Sequence, residues 1–308
     1  MTRVIVTGAT GVLGSQVAEC LARNHAEVTG TYHASIGLGS MRSKAFFSMD
    51  LAQPEDIRIP DGHYDVLVHC AAVTTTKSTR TQVTTRVNVE GTSMLFERAA
   101  ARGIRRIVFI SSLSALERNP SAYARSKLRG ESYLKELAQR YPVQGVIIRP
   151  GLIISSAPSG IFAKLCRQVA RVPIFPYFGK SELCTISLDE LCEVIVRLSL
   201  SPDYSPGVIT VDVCADELLS LGDIARDVAF TLYSRRLPVL RVPSALPLIA
   251  AYVLNALMTE SPISVDNVYG LIYAARPDLR TLHNLVDFTP TTFPANLKQA
   301  TRGTHHDG

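Results

Sequence analysis

Apolar residues follow two different rhythms in the first half of the chain. Short continuous runs, such as Val4 to Thr7, are typical of buried parallel strands, and stretches with apolar residues at helical spacing lie between them. This alternation predicts an α/β fold with a doubly wound parallel sheet, whose ligands bind at the carboxyl ends of the strands. The predicted strands after the first are 28–32, 66–70, 107–110 and 146–148, and the predicted helices include 91–102 and 126–140.

The alternation breaks down after Gly151, where frequent prolines separate shorter elements. This change predicts a smaller, mixed C-terminal lobe. We therefore expect a first domain over 1–155, rejoined by later strands around 181–215, and a second lobe that is mainly 156–308.

One segment of the second lobe is unusually apolar. The stretch from Val242 to Met258 carries no charge over 17 residues, which is at the short limit for a membrane span. Pro243, Pro247 and Asn255 argue against a span. We interpret the segment as a helix packed in the second lobe or against a partner subunit, with peripheral membrane contact as the alternative.

Composition narrows the class of protein further. A chain of 308 residues with 46% hydrophobic residues can bury a large core, and its net charge of +5 is not concentrated in one run. This pattern argues against nucleic acid as a partner and suits anionic small substrates. The sequence leaves a homodimer as an open alternative. The six scattered cysteines predict a reducing, cytoplasmic setting without disulfides, and no carboxylate cluster has metal-site spacing, so we predict no metal.

Three glycines follow the first strand at intervals of three. Gly8, Gly11 and Gly14 lie on the predicted turn between that strand and a helix. Such a turn directs free backbone N–H groups and the positive helix end at one point, where a pyrophosphate can bind. A strand-loop-helix without a ligand would also explain glycines alone, but the flanking strand and helix favour the binding turn.

A second group of reactive residues follows the predicted strand 107–110. Ser111 and Ser112 fall where a parallel sheet presents residues to ligand, and Tyr123 and Lys127 share one face at the start of a helix. The lysine ammonium and a nicotinamide's charge would both favour the tyrosine phenolate, which could then transfer a proton. A solvated helix face is the alternative for the Tyr-x-x-x-Lys pair alone. His69 lies in the predicted strand 66–70, and we interpret it as a core residue with satisfied hydrogen bonds.

Together these motifs resemble the short-chain dehydrogenase/reductase superfamily, and within it the extended NAD-dependent epimerase/dehydratase branch that acts on nucleotide sugars. The resemblance is close from Thr2 to about Gly151 and looser towards the C-terminus. It implies a Rossmann-type sheet that binds NAD or NADP, and a smaller C-terminal lobe that binds substrate. The motifs that carry it are TGATGVLG, Asp50-Leu51, HCAAV, NVEGT, FISSLS, YARSK and IRPG.

The resemblance also implies a role for individual residues. Ser112, Tyr123 and Lys127 would form the catalytic triad, with Ser112 preferred over Ser111 and Ser114 because the second residue of the family's serine pair is the catalytic one. Thr74, Ser112 and Tyr123 would contact substrate. The implied cofactor residues are Gly8, Thr10, Gly11, Val12, Leu13, Gly14, Tyr32, His33, Asp50, Leu51, Ala71, Ala72, Val73, Asn88, Tyr123, Lys127, Pro150 and Gly151.

The chain departs from the family pattern at the end of the second strand. An acidic residue there selects NAD and an arginine accommodates NADP, but this chain has Tyr32-His33. Arg42 and Lys44 follow in the next loop with nothing acidic to repel a phosphate, so we expect a slight preference for NADP. Elsewhere, the segment from Ser112 to Tyr123 is shorter than in many sugar epimerases, and Asp189 is expected to cap the helix that follows it.

Three functions remain open from the sequence. The first is a nucleotide-sugar 4-keto reductase or 4-epimerase. We place the reductase slightly ahead because we expect the cofactor to be exchangeable. The second is a reductase of a non-sugar carbonyl substrate, which the uncharged segment would favour. The third is a non-catalytic dinucleotide-binding subunit, against which the intact Ser112, Tyr123 and Lys127 argue.

Overall fold

The structure is a computed structural model that describes residues 1–33, 45–74, 81–155, 160–178, 183–202, 205–257, 265–273 and 275–302. Eleven strands lie within these ranges. They are β1 (Arg3–Thr7), β2 (Glu27–Tyr32), β3 (Ala45–Ser48), β4 (Val66–His69), β5 (Arg106–Ile110), β6 (Gln144–Pro150), β7 (Leu152–Ile154), β8 (Phe175–Phe178), β9 (Thr185–Ser187), β10 (Gly207–Val213) and β11 (Val239–Val242).

Seven of these strands form one sheet in the order β10-β6-β5-β4-β1-β2-β3, and every neighbouring pair is parallel. Strand order reverses between β1 and β4, because the chain first builds outward through β2 and β3 and then in the other direction. The crevice at such a reversal, beyond the carboxyl ends of the strands, is where this architecture binds ligands. The predicted α/β fold with a doubly wound parallel sheet is therefore confirmed.

Helices connect and cover the strands. They are α1 (Val12–Arg23), α2 (Thr81–Thr85), α3 (Thr92–Ala101), α4 (Ala122–Arg140), α5 (Gly160–Arg171), α6 (Leu188–Leu200), α7 (Leu221–Tyr233), α8 (Ala245–Leu257), α9 (Val265–Ile272), α10 (Arg280–Leu285) and α11 (Phe293–Arg302), with a π-helical turn at Arg86–Gly91 and a 3-10 turn at Pro54–Asp56.

Helices cover the sheet on both faces. On β1, Val4 and Val6 belong to one apolar cluster, and Ile5 belongs to the cluster on the opposite face. Alternate residues of a strand point to opposite faces, so the strand is apolar at every position only because both faces are covered. This arrangement explains why the predicted strands read as continuous apolar runs.

The C-terminal part of the chain contributes both to the sheet and to a separate lobe. Of the strands expected around 181–215, β10 joins the large sheet beside β6, whereas β9 pairs with β7 in a small sheet of two strands. A further two-stranded ribbon pairs β8 with β11. Helices α5 and α7 enclose a separate apolar cluster beside these small sheets.

One predicted helix boundary and one predicted helix cap differ in the structure. Helix α4 begins at Ala122 instead of 126, because the Ser121 hydroxyl accepts a hydrogen bond from the Ala124 N–H at 3.2 Å and caps the helix. The predicted capping role of Asp189 is wrong. Ser187 caps α6 in a reciprocal capping box with Glu190, and the Asp189 carboxylate instead accepts a 3.4 Å hydrogen bond from Gln16.

The uncharged segment contains the last residue of β11 and the whole of α8. One face of α8 is buried, since Ala251 is fully inaccessible and packs with Phe178 of β8 and Val268 of α9. Within the described residues, no helix is long and apolar enough to cross a membrane. The expected packing in the second lobe therefore accounts for only one side of this helix.

Candidate active site

The glycine turn brings two backbone segments unusually close together. Gly8 has a φ of +67°, a left-handed conformation that favours glycine, and a Cβ at this position would lie 2.9 Å from the backbone of Ala71. A Cβ on Gly14 would lie 2.1 Å from the carbonyl oxygen of Gly8. The absence of both side chains is therefore required for the first turn of α1 to approach β1 and the end of β4.

This turn fits the pyrophosphate group that the glycine spacing predicts. Gly11 precedes the first residue of α1 and supplies no side-chain cap to the free N–H groups of that helix. Thr10, Gly11 and Val12 are all exposed, so the positive end of the helix faces solvent instead of a protein carboxylate. Leu13 is half-buried behind the turn. A dinucleotide phosphate can occupy the position in front of these N–H groups.

At the end of β2, a histidine and an aspartate lie side by side. The Nε2 atom of His33 is 3.2 Å from Oδ1 of Asp50, and His33 is largely exposed while Tyr32 is half-buried. Leu51 is buried, and its backbone lies so close to Gly91 that a Cβ there would be 2.2 Å from the Leu51 carbonyl oxygen. Asp50 and Leu51 therefore line the same corner as the residues that end β2.

This pairing corrects one part of the sequence interpretation. The carboxylate of Asp50 comes from the segment after β3, and it places a negative charge beside His33, where nothing acidic was expected. Arg42 and Lys44, which were expected to favour a phosphate, lie outside the described residues.

The loop after β4 is held by a buried asparagine. Asn88, in the π-helical turn, accepts a hydrogen bond from the Val73 N–H and donates one to the Val73 carbonyl oxygen, both at 2.8 Å. Its amide also donates to the Ser126 hydroxyl at 3.2 Å. Ala71 and Val73 are half-buried along this loop, while Ala72 and Thr74 are exposed. Asn88 thus fixes the loop of the expected cofactor residues to helix α4.

The three serines after β5 have different environments. The Ser111 hydroxyl is buried and donates to Oε1 of Glu131 at 2.5 Å, so it is directed into the core. The Ser112 hydroxyl is half-buried, lies 2.9 Å from that of Ser114, and accepts a hydrogen bond from the Ser114 N–H at 3.1 Å. The preference for Ser112 over Ser111 therefore has a geometric reason, whereas the preference for Ser112 over Ser114 stays a prediction.

Tyr123 and Lys127 lie together on the first turns of α4, as predicted. The Nζ atom of Lys127 is 5.7 Å from the centre of the Tyr123 ring and donates a 2.7 Å hydrogen bond to the carbonyl oxygen of Ile110, the last residue of β5. Removal from water lowers the pKa of Lys127 to about 8 although nearby Cys70 and Glu131 oppose this shift. Burial also raises the pKa of Tyr123 to about 12. Tyr123 is therefore a phenol in this structure, and the expected effect of a nicotinamide charge on its pKa stays a prediction.

A buried ion pair lies one helical turn after Lys127. Glu131 lies one helical turn after Lys127 and is only 2% exposed, and both of its oxygens accept hydrogen bonds from Arg149 at 2.8 and 2.5 Å. Together with the bond from Ser111, these contacts join α4, β5 and β6 at the carboxyl end of the sheet.

Further contacts fix the ends of β6 and α4. Pro150 is buried, and its carbonyl oxygen accepts a hydrogen bond from the Leu113 N–H at 3.2 Å. A Cβ on Gly151 would lie 2.5 Å from the carbonyl oxygen of Cys184. Asp266 of α9 accepts a hydrogen bond from the N–H of Ala122 at 3.0 Å, which ties the C-terminal lobe to the residue before Tyr123.

His69 has the structural role that its strand position predicted. It is fully buried at the end of β4, and its ring nitrogens lie 2.7 Å and 3.0 Å from the hydroxyl oxygens of Thr7 and Thr92. Burial lowers its pKa to about 3, so the ring is neutral. The described residues contain no group of three potential metal ligands close enough to hold an ion.

Sequence reasoning missed the supporting residues of this site. Glu131 is four residues after Lys127, and this helical spacing could have indicated it. Asp266 is 144 residues away from Ala122 in the chain, and no local signal connects the two. Asp50 and His33 were both named from the sequence as cofactor residues, but their contact was not predicted because only the sheet brings them together.

Comparison with known proteins agrees with the geometry of the fold. Residues 4–182 match the model of the NAD dependent epimerase/dehydratase family, so the chain belongs to this family. It is 26% identical over 252 residues to UDP-glucose 4-epimerase of Vibrio cholerae, covering 74% of this chain and 75% of that protein. It is also 26% identical over 295 residues to ceramide reductase of Caulobacter vibrioides, covering 94% and 87%. The structure of MoeE5 in complex with UDP-glucose and NAD superposes with a TM-score of 0.74 at 18% identity, covering 99% and 100%.

Proposed function

We propose that this chain is an NAD(P)-dependent reductase of the 4-keto group of a nucleotide sugar, with 4-epimerisation as the alternative reaction of the same site. The observation that carries the proposal is that Lys127 lies beside the Tyr123 ring and binds the carbonyl oxygen of Ile110, the residue directly before the serines. A glycine turn that fits a pyrophosphate lies on the same sheet. The matching structure with bound UDP-glucose and NAD supports the substrate class.

The residues divide the chemistry between them. The Ser112 hydroxyl donates a hydrogen bond to the substrate carbonyl oxygen, and Tyr123 delivers the proton to that oxygen as it becomes a hydroxyl. Lys127, whose Nζ binds the Ile110 carbonyl oxygen beside the tyrosine ring, would hold the nicotinamide ribose and would stabilise negative charge that develops on Tyr123. A nicotinamide dinucleotide, when bound, supplies the hydride for the carbonyl carbon. Tyr123 carries the proton that this step delivers, since burial raises the pKa of its hydroxyl to about 12.

The cofactor would be held along the carboxyl edge of the sheet. The turn at Gly8, Gly11 and Gly14 would bind the pyrophosphate, and the corner of His33 and Asp50 would receive the adenosine half. His33 favours the additional phosphate of NADP and Asp50 opposes it, so the proposed preference for NADP is slight. A cytoplasmic location is part of the proposal, because all six cysteines are free thiols.

A matched pair of serine variants tests the function. Purified protein with NADPH and a panel of UDP-, dTDP- and GDP-linked 4-keto sugars should oxidise the cofactor with at least one of them, and that sugar should raise the melting temperature. Ser112→Ala should lose about 100-fold or more in kcat, whereas Ser114→Ala should stay within about threefold. Loss in Ser114→Ala alone would contradict the assignment of Ser112.

Cofactor content separates reductase from epimerase. An epimerase regenerates its cofactor within each cycle and can retain it, whereas a reductase must release the oxidised form after every turnover. We expect protein purified without added cofactor to carry much less than one nicotinamide per chain. Near-stoichiometric bound NAD would make 4-epimerisation the better proposal.

A second candidate is a reductase of an apolar, non-sugar carbonyl compound. It is favoured by α8, whose outer apolar side chains are about half exposed, and by the similarity to ceramide reductase over most of the chain. A long-chain ketone dispersed in detergent, offered with the same cofactors, tests this candidate. Turnover of the ketone without turnover of any sugar in the panel would replace the first proposal.

A further inference from the structure

Four of the six cysteines lie in two pairs whose thiols contact each other. Cys192 of α6 donates a hydrogen bond to the sulfur of Cys20 on α1, and Cys214, directly after β10, is hydrogen-bonded to Cys184, directly before β9. All six cysteines are free thiols in the structure. Two thiols in contact become a disulfide when they lose two electrons and two protons, so each pair is a candidate site of oxidation.

The two pairs differ in their access to solvent. Cys20 is half-buried and follows the exposed Glu19, whereas its partner Cys192 is fully inaccessible. In the second pair, Cys184 is only 4% exposed and Cys214 is fully inaccessible. A small oxidant in water can therefore reach the first pair through Cys20, whereas the second pair is enclosed on both sides.

The packing of α1 on α6 holds the first pair together. Gln16 lies one helical turn before Cys20, and its side-chain amide donates the 3.4 Å hydrogen bond to Asp189. Asp189 in turn lies three residues before Cys192. Residues three or four apart share one face of a helix, so the two thiols and the Gln16–Asp189 bond are successive contacts between the same two helices. Apolar residues of both helices, such as Leu21, belong to one buried cluster, which fixes the thiols against each other.

The surroundings of Cys20 favour its thiolate, which is the reactive form of a cysteine. The hydrogen bond from Cys192 and the positive charge of Arg23 together outweigh burial, and they lower the pKa of Cys20 to about 7. The negative charges of Glu19 and Asp189 oppose this shift. The same hydrogen bond, together with burial, raises the pKa of Cys192, so this thiol keeps its proton. At neutral pH a substantial fraction of Cys20 is therefore a thiolate beside a protonated second thiol.

We propose that Cys20 and Cys192 form a peroxide-sensitive redox site, in which Cys20 is the attacking thiol and Cys192 the resolving thiol. This site goes beyond the proposed reaction and does not depend on it. Its disulfide would join α1, the helix that begins at the glycine turn, to α6.

The oxidation has two steps. The Cys20 thiolate attacks one oxygen of hydrogen peroxide, the O–O bond breaks, and the sulfur is oxidised to a sulfenic acid while the departing hydroxide takes up a proton to become water. The sulfur of Cys192 then attacks the sulfenic sulfur, and the S–S bond forms as the S–O bond breaks and a second water leaves. Two thiols and one peroxide thus give one disulfide and two waters, and a dithiol reductant reverses the change.

Mass spectrometry of the full chain after treatment with hydrogen peroxide at pH 7 tests the site. After the remaining thiols are alkylated and the protein is digested, we expect a disulfide-linked peptide pair with Cys20 and Cys192, which dithiothreitol removes. Cys192→Ala should leave Cys20 as a sulfenic acid that dimedone traps. The matched buried pair, Cys184 and Cys214, should stay reduced. Failure to find the Cys20–Cys192 peptide pair, or faster oxidation of Cys184 and Cys214, would overturn the proposal.

Alkylation rates test the role of Cys20 without an oxidant. Cys166 of α5 is the matched control, because it is also half-buried but burial raises its pKa to about 11. Iodoacetamide at pH 7 should therefore react with Cys20 at least about tenfold faster than with Cys166. Cys192→Ala removes the hydrogen bond and should move the midpoint of the Cys20 rate to higher pH by about one unit. Equal rates at Cys20 and Cys166 would refute the assignment of Cys20 as the attacking thiol.

Discussion

Helices α4 and α8 depart in different ways from the usual pattern of buried apolar and exposed charged residues. Helix α4 is rich in charged residues, yet Lys127 and Glu131 are almost completely buried. Helix α8 has no charged residue, yet four of its large side chains are about half exposed. A buried charge and an exposed apolar face each cost free energy in the isolated protein, so each is informative where a buried leucine or an exposed lysine is not.

The two helices differ in how the cost is offset. On α4, each buried charge has a partner in the protein, because Lys127 binds the Ile110 carbonyl oxygen and Glu131 binds Arg149. On α8, the Tyr252 hydroxyl lies 3.0 Å from that of Tyr269, whereas Leu246, Ile249 and Val253 remain about half exposed. The buried charges of α4 are therefore satisfied within the protein, and their position beside Tyr123 indicates a reactive site. The exposed apolar side chains of α8 are not covered in the same way, and they indicate a contact surface.

The largest expected effect separates the two helices by function. Tyr123→Phe removes the proton donor of α4 and should lower kcat by about 10²- to 10⁴-fold while dinucleotide affinity stays within about threefold. Ile249→Ser on α8 should leave kcat for a soluble substrate within about twofold. Steady-state kinetics and cofactor titration on both variants check this. Full activity of Tyr123→Phe would remove the proposed mechanism.

The next effect concerns stability. Glu131→Gln leaves Arg149 without its buried carboxylate and should lower the free energy of unfolding by about 3–5 kcal/mol. Leu246→Gln, at a position of α8 that is 56% exposed, should change it by no more than about 0.5 kcal/mol. Urea unfolding of both variants measures the difference. A large loss in Leu246→Gln would show that the outer face of α8 is packed.

A pair of glycine variants compares the glycine turn with the neighbour of α8. Gly14→Ala would force a Cβ to within 2.1 Å of the Gly8 carbonyl oxygen, and it should cost about 1–3 kcal/mol and weaken dinucleotide binding at least tenfold. Gly270→Ala in α9 meets no atom within 4 Å and should be neutral or stabilise by up to about 1 kcal/mol. Thermal unfolding and cofactor titration distinguish the two. Retained affinity in Gly14→Ala would place the phosphate elsewhere.

The pH dependence of cofactor binding tests the buried lysine of α4. Lys127 has a pKa of about 8, so above this pH it loses the charge that attracts the dinucleotide. Affinity should be constant below about pH 7 and should fall by up to about tenfold per pH unit above pH 8. Because Glu131 raises the pKa of Lys127, Glu131→Gln should move the midpoint to lower pH, and Lys127→Met should remove the dependence. An unchanged profile in Lys127→Met would assign the titration to another group.

The smallest expected effect lies at the adenosine corner. His33 is 70% exposed beside Asp50, and His33→Asp adds a second negative charge there. The ratio of the dissociation constants for NADPH and NADH should rise by about three- to tenfold, or up to about 1.4 kcal/mol. Titration of both cofactors against the variant measures this ratio. A ratio that does not change would show that residues outside this corner discriminate between the two.

The strands and the reactive residues were predictable because their signals are local. Residues of β4 and β5 are buried on both faces, which imposes a continuous apolar run, and the spacing of Tyr123 and Lys127 places both on one side of any helix. The contact of Asp50 with His33 was not predictable, since it joins the ends of two strands that are paired through the sheet. The cap of α6 was missed because Ser187 competes with Asp189 for the same N–H groups, and only the backbone path decides between them.

The sequence by itself determined the doubly wound sheet, the glycine turn and the position of Tyr123 and Lys127, because periodicity and glycine spacing act over a few residues. Tertiary structure alone decided the charge states of that site and the exposure of α8. A pKa depends on how much water and which charges surround a group, and the exposure of a helix depends on what packs against it. Lys127 acquires its lowered pKa only when β5 and α4 enclose it. In α8, β8, β11 and α9 pack against one side of the helix, and the side away from them remains exposed.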